Sequence, residues 1–171
     1  MVGHVLQSHP AIPPLEISER FAGFILVSPW VSLDTSGPSW DENSLRDVID
    51  SRAIQPWAEL VKAGATQNGR SLTTELSWLE PSKAPTDWWK GTEKIVQHVL
   101  ITYGEREVLK DSVKLFVERF KEGVKGEMVD VTVLEDKGGI HIGPTLDANR
   151  GREPGDVAKI IAGWAFERLG H

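Results

Sequence analysis

The chain has 171 residues and a net charge of -6, with 40% hydrophobic and 26% charged residues. This length supports one sizeable core, and the composition is that of an ordinary globular protein. The acidic charge, with no basic stripe, argues against nucleic-acid binding. No apolar run reaches about 18 residues, which argues against a membrane span. The chain has no Cys, which excludes disulfides, thiolate chemistry and Cys-based zinc sites.

The N-terminal part of the chain predicts a helix, a buried strand and a polar excursion. MVGHVLQSH is predicted to be the tail of a helix that Pro10 stops, and it lacks the features of a signal peptide, so a cytoplasmic location is favoured. FAGFILVSPW, residues 21–30, is almost continuously apolar, which is typical of a strand buried on both faces in a parallel sheet. Residues 31–85 are polar, rich in Trp and Ser, and contain helical pieces.

The remaining chain alternates strand and helix patterns. IVQHVLITYG (95–104) and MVDVTVLED (128–136) predict two further strands. SVKLFVERFKEG and PGDVAKIIAGWAFERLG follow them as helical segments. This alternation predicts an α/β fold with three parallel strands, flanking helices and right-handed crossovers. Residues 1–171 are expected to form a single domain, from which residues 31–85 make the excursion.

Two loops that follow predicted strands carry titratable residues. GEREVLKD follows the second strand and GGIHIGP follows the third. Ligands of open parallel sheets lie beyond the carboxyl ends of the strands, so we expect Glu107 and His141 to come within hydrogen-bonding reach. A carboxylate on one imidazole nitrogen fixes the tautomer and leaves the other nitrogen able to accept a proton. The alternative for His141 is an ordinary solvated loop histidine.

Four segments carry a resemblance to a known family. They are, in chain order, GFILVSPWVSLDTSGPSW, EPSKAPTDWWKG, VLITYGEREVLKDSVKLFVERF and GGIHIGPTLD. In this order they resemble the sixth strand with its Ser-Pro-Trp turn, the stretch before the seventh strand, the seventh strand with its acid loop, and the histidine loop of hormone-sensitive-lipase-like esterases (α/β-hydrolase fold-3). The similarity is greatest to fungal members. It implies a partial α/β-hydrolase fold whose three strands are the family's last three, with residues 31–85 as a lid or acyl-pocket excursion.

The resemblance also implies a chemistry. Family members are carboxylic-ester hydrolases that form a serine acyl-enzyme, with their triad in the order Ser, acid, His. By resemblance the histidine is His141 and the acid is Glu107, where the family more often has Asp. Glu105 is the second candidate for the acid, and Asp111 is expected to cap the next helix. No cofactor or metal is implied.

The nucleophile of the family has no counterpart in the sequence. No serine stands in a Gly-x-Ser-x-Gly pattern. Ser71 has Gly two positions before it but Thr two positions after it, Ser36 and Ser39 are expected in a loop, and Ser28 ends a strand. MVGHVLQSHP resembles the helix after the missing serine. The chain is therefore expected to be inactive alone and to take a small-molecule ester only when an N-terminal half completes it.

Other interpretations stay open from the sequence. The chain could be a gene fragment, a split-gene product, or a non-catalytic pseudoenzyme or interaction module that retains the hydrolase fold. The family's sixth strand pairs with a fifth strand that has no counterpart here. The first predicted strand is therefore expected to be an exposed apolar edge that promotes self-association.

Several aromatic residues have structural interpretations. Trp88 and Trp89 could line an acyl pocket, but aromatic packing is favoured. His4 and His9 are predicted at the surface, and His98 is predicted to be a packed or edge histidine of the second strand.

Overall fold

The computed structural model describes residues 9, 13, 16–67 and 72–169. Within them one sheet of three parallel strands has the order β1-β2-β3, formed by β1 at Phe24–Val27, β2 at His98–Gly104 and β3 at Asp130–Asp136. The predicted parallel α/β architecture is confirmed. Each strand begins two or three residues later than predicted, because the first apolar residues of each run form the approach to the strand.

Six α-helices lie in the described part of the chain: α1 at Pro38–Asn43, α2 at Ser51–Gln67, α3 at Leu72–Leu79, α4 at Lys110–Gly123, α5 at Gly143–Asn149 and α6 at Asp156–Leu169. Three 3-10 helices, at Pro81–Lys83, Thr86–Trp89 and Thr92–Lys94, connect α3 to β2. The predicted excursion thus folds as α1, α2 and α3. Residues 1–8 of the predicted N-terminal helix, which include His4, lie outside the described residues. No helix in the described ranges has the length and apolar character needed to cross a membrane.

The hydrophobic core lies between the central strand and α4. β2 is buried along nearly its whole length because it has a neighbouring strand on each side. Val113, Phe116 and Phe120 of α4 are buried at helical spacing against this layer. The Trp89 ring meets Phe116 and Phe120 edge-to-face, with ring centroids 5.6 and 5.1 Å apart. Trp88 packs edge-to-face on Trp89, so these two tryptophans form aromatic packing.

One predicted polar role, that of His9, is wrong. His9 is not at the surface: it is 6% exposed, and its Nε2 lies 2.7 Å from Glu75 Oε2. A buried carboxylate and an edge-to-face contact with Trp78 give the ring a polar and an aromatic partner, which allows its burial. His98 lies in the second strand, as predicted: it begins β2 and is half-exposed, with its Nδ1 3.7 Å from Asp130 Oδ2.

Asp111 and Ser39 differ from expectation for one shared reason. Asp111 lies in the first turn of α4, but its Oδ2 accepts the N–H of Ser39 at 2.7 Å, at the start of α1. The N-cap residue of α1 is Gly37, which has no side chain to cap that helix. Ser39 lies in α1 and not in a loop, and its hydroxyl donates to the carbonyl of Val108 at 2.6 Å. Together these contacts fasten α1 to the loop after β2.

Candidate active site

The two loops with titratable residues are joined by a continuation of the β2–β3 ladder. Beyond the strands, the Glu105 N–H donates to the Asp136 carbonyl and the Arg106 N–H donates to the Gly139 carbonyl, both at 2.9 Å. The approach is close enough to require glycine, because a Cβ at Gly104 would lie 2.5 Å from the Gly139 carbonyl oxygen. The local backbone therefore determines how near the acid loop, residues 104–111, lies to the histidine loop, residues 138–144.

Glu107 and His141 lie in direct contact. Glu107 Oε1 is 2.8 Å from His141 Nδ1, which confirms that the two residues lie together. Glu107 is fully buried, and the His141 side chain is 17% exposed. An ionised carboxylate only accepts hydrogen bonds, so the contact places the proton on Nδ1. No described residue makes a hydrogen bond to Nε2, which leaves that nitrogen able to take a proton.

The second oxygen of Glu107 is held by two donors. Oε2 accepts the Ser28 hydroxyl and the Gly104 N–H, each at 2.9 Å. With His141 Nδ1 on the other oxygen, three donors compensate a carboxylate that is wholly removed from water. A buried charge is tolerated in a protein only when it is paired and hydrogen-bonded in this way.

Ser28 and Ile142 have left-handed backbone conformations at the site. Their φ angles are 48° and 47°, and they are the non-glycine residues with positive φ in the described part of the chain. The Ile142 N–H donates to the Ser28 hydroxyl oxygen at 3.0 Å. Such conformations cost of order 1–3 kcal/mol each and persist where the surrounding structure enforces them, often at functional sites.

Ser28 and Ser36 are the two described serines that could replace the nucleophile. Neither makes a hydrogen bond to His141 Nε2. The Ser28 hydroxyl donates to the acid, Glu107. Ser36 is exposed, and its hydroxyl donates to Asp34 Oδ1 at 2.6 Å. Ser71 lies outside the described residues.

Glu105, the second candidate for the acid, has a different position. Its Oε2 accepts the N–H of Gly138 at 2.8 Å, and its Oε1 lies 3.9 Å from Lys137 Nζ on the protein surface. Glu105 therefore shapes the start of the histidine loop, while Glu107 contacts the imidazole.

Asp47 belongs to the site although no sequence pattern indicates it. It lies between α1 and α2, and its carboxylate accepts the N–H groups of Val108 and His141. Only the tertiary contact reveals this role, because the surrounding stretch has the pattern of an ordinary polar connection.

Next to the histidine loop, burial and the nearby Asp147 carboxylate raise the pKa of Asp136 above its usual value. Within the described residues no three His, Asp or Glu side chains form a group able to hold a metal ion.

A parallel sheet that places a carboxylate–histidine pair beyond the ends of adjacent strands defines a partial α/β-hydrolase. Residues 22–153 match the family profile of the steryl acetyl hydrolases, and the chain belongs to this family. No curated protein sequence is significantly similar to the chain.

Solved structures share the fold. A hormone-sensitive lipase from a metagenome library aligns with a TM-score of 0.62 and 22% identity, over 87% of this chain and 45% of that protein. A thermostable esterase from Pseudomonas putida ECU1011 aligns with a TM-score of 0.53 and 18% identity, over 70% of this chain and 33% of that protein. An esterase/lipase from an uncultured bacterium aligns with a TM-score of 0.50 and 20% identity, over 74% of this chain and 36% of that protein. The chain therefore spans less than half the length of these proteins.

Proposed function

We propose that the chain supplies the acid and the base of a serine-type carboxylic ester hydrolase, with Glu107 as the acid and His141 as the base. The observation that carries the proposal is the 2.8 Å contact between Glu107 Oε1 and His141 Nδ1, with Nε2 on the opposite side of the ring available. Membership of the steryl acetyl hydrolase family supports a sterol acetate as the substrate class.

In the proposed reaction, His141 Nε2 takes the proton of a serine hydroxyl while the serine oxygen attacks the acetyl carbonyl carbon. The imidazolium, stabilised by the Glu107 carboxylate, gives that proton to the sterol oxygen as the ester bond breaks. Nε2 then takes a proton from water, whose oxygen attacks the acyl-enzyme, and the proton returns to the serine as acetate leaves. Each half-reaction uses the same Nδ1–carboxylate hydrogen bond to hold the ring.

We infer that the nucleophile comes from polypeptide other than these 171 residues. No Gly-x-Ser-x-Gly pattern occurs in the sequence, and the Ser28 hydroxyl is bonded to Glu107. We therefore infer that residues 1–171 act as one partial domain, with residues 31–85 beside the site. A single oxyanion donor contributes a factor of about 10²–10³ to the rate. Without the serine and these donors, this chain is expected to be inactive.

The first test compares the purified chain with its His141→Ala variant on p-nitrophenyl acetate and on a sterol acetate. Equal rates are expected, because triad members act as a unit. Turnover that disappears in His141→Ala would show that a nucleophile is present in the chain, contrary to the proposal.

The second test joins the chain to the coding sequence upstream of Met1 wherever that sequence holds an in-frame Gly-x-Ser-x-Gly. The completed protein is expected to hydrolyse sterol acetates, with a loss of at least about 10³-fold in His141→Ala and Glu107→Gln. Glu105→Gln is the matched control, since Glu105 contacts only the loop backbone and Lys137, and it should retain most activity.

The absence of the serine pattern also favours a second candidate, a non-catalytic member of the family that uses the hydrolase fold for binding. This candidate would be favoured by a transcript that starts at Met1, with no in-frame Gly-x-Ser-x-Gly sequence upstream of it. A transcript that encodes the Gly-x-Ser-x-Gly sequence together with this chain, and whose product is active, would exclude the non-catalytic candidate.

A further inference from the structure

Asp47 connects the acid loop to the histidine loop. Its Oδ2 accepts the Val108 N–H at 2.8 Å, and its Oδ1 accepts the His141 N–H at 2.9 Å. The same Oδ1 accepts the N–H of Val48 at 2.7 Å, which fixes the carboxylate relative to its own backbone. One planar carboxylate thus holds the peptide group next to the acid and the peptide group of the base itself.

We propose that Asp47 is a positioning residue that sets the distance and orientation between Glu107 and His141. The role rests on the proposed function, in which this pair performs the proton transfers. The backbone N–H of Val108 follows Glu107 directly, so fixing it fixes the start of the acid side chain. Hydrogen bonds to an ionised carboxylate are shorter and about twice as strong as neutral ones, which suits a bridge between two loops.

The bridge ties the excursion of residues 31–85 to the site. Asp47 follows α1, and α1 adds two further contacts to the acid loop: the Ser39 hydroxyl donates to the Val108 carbonyl at 2.6 Å and Asn43 Nδ2 donates to the Glu107 carbonyl at 3.3 Å. These two bonds hold the acid loop alone. Among the described side chains of the excursion, Asp47 is the one that hydrogen-bonds to both loops.

The decisive experiment follows the His141 ring in ¹⁵N-histidine-labelled protein by NMR, with His141→Ala to assign its signals. In the unmodified chain we expect the Nδ1-protonated tautomer and a downfield, slowly exchanging Nδ1 proton. Asp47→Asn keeps the shape but offers one acceptor oxygen and turns an amide donor towards the other N–H. We expect this variant to lose the downfield proton and to show a mixture of tautomers.

Asp50→Asn is the matched control. Asp50 lies three positions after Asp47 and also accepts a backbone N–H, that of Ala53, at 3.1 Å. It should leave the His141 signals unchanged. Asp47→Asn with unchanged signals would overturn the proposal, as would the same loss in Asp50→Asn. If Asp47→Asn fails to fold, Asp47→Glu decides the matter: it keeps the charge and moves the oxygens by one methylene group, and unchanged His141 signals in it would also overturn the proposal.

These signals report the geometry of the pair and do not depend on ester hydrolysis. An inactive completed protein whose His141 signals still respond to Asp47→Asn would contradict the proposed function and leave the positioning role standing. An active completed protein whose His141 signals do not respond to Asp47→Asn would support the proposed function and contradict the positioning role.

Discussion

The Ser28 hydroxyl joins three groups of the candidate site. It donates to Glu107 Oε2 at 2.9 Å and accepts the Ile142 N–H at 3.0 Å, so it links the end of β1 to both loops. Both Ser28 and Ile142 have left-handed backbones. The strain at both positions is consistent with a requirement for this geometry, because such conformations are retained only where other contacts enforce them.

We predict that Ser28→Ala lowers the free energy of unfolding by about 2 kcal/mol. The change removes a donor from a fully buried carboxylate and leaves the Ile142 N–H without its acceptor, and such losses cost about 1–3 kcal/mol. Urea unfolding followed by circular dichroism measures the effect. Ser36→Ala is the control, since Ser36 bonds only to Asp34 on the surface and should change stability by less than about 0.5 kcal/mol. Equal effects of the two changes would show that the Ser28 bridge has no special weight.

At the scale of elements, the strands and α4 could be predicted from their apolar patterns. Residues 99–101 of β2 are apolar because the strand is buried on both faces, and the apolar residues of α4 repeat at helical spacing. α5 could not be predicted, because it is short and has no buried residue to leave a pattern. The exact strand ends depend on pairing with neighbours, which no local pattern records.

The site was predictable only where local pattern and chain order suffice. Glu107 and His141 follow the ends of adjacent parallel strands, and the topology alone brings such positions together. The bridging roles of Asp47 and Ser28 depend on contacts over 61 to 114 positions of sequence. His9 was mispredicted for the same reason, since its partner Glu75 lies 66 positions away.

Two carboxyl groups face each other where the 3-10 helix Thr92–Lys94 meets the turn after α4. The Oε2 atoms of Glu93 and Glu127 are buried, and no N–H group of the described residues donates to them, while Glu127 Oε1 accepts the Gly91 N–H at 2.7 Å. A hydrogen bond to Glu127, helped by burial, raises the pKa of Glu93 above its usual value. Because a hydrogen bond between two carboxyl groups requires a proton on one of them, we infer that the pair shares one proton.

We predict that Glu93→Gln stabilises the protein at pH 7 by on the order of 1 kcal/mol. Because the folded pKa of Glu93 is raised, its contribution is fully present below the unfolded pKa and is lost as the pH rises through the folded value. The Gln amide donates to Glu127 at any pH, so the stability of the variant should fall less as the pH rises from about 4 to 7. Thermal unfolding across this range measures the difference. Glu122→Gln on the exposed end of α4 is the control, and a matching response there would contradict the shared-proton explanation.

At the scale of the whole molecule, β1 is an edge of the described sheet. It pairs with β2 on one side, and no described strand lies on its other side. The edge carries no charged side chain, and Ile25 on it is 36% exposed. Unpaired backbone groups on an apolar strand favour pairing with another chain. We propose that this edge either self-associates or receives a strand from the polypeptide that supplies the serine.

We predict that the chain alone forms concentration-dependent oligomers and that Ile25→Lys shifts them towards monomer. A charge on an edge strand opposes strand pairing between molecules because the ammonium group would be desolvated there. Size-exclusion chromatography with light scattering over a concentration series measures the mass. Leu60→Lys introduces the same charge at an apolar residue of α2 that is 69% exposed, away from the edge, and should leave the oligomers unchanged.

Three outcomes separate the possibilities for this edge. Dissociation by Ile25→Lys alone places the contact on β1, and dissociation by Leu60→Lys alone would move it to the exposed face of α2. A chain that is monomeric at every concentration and unfolds cooperatively with an ordinary stability of roughly 5–15 kcal/mol would contradict the prediction. In that case the backbone groups of β1 are satisfied within the chain itself, and association with a serine-bearing segment would have to displace that cover before the proposed site could be completed.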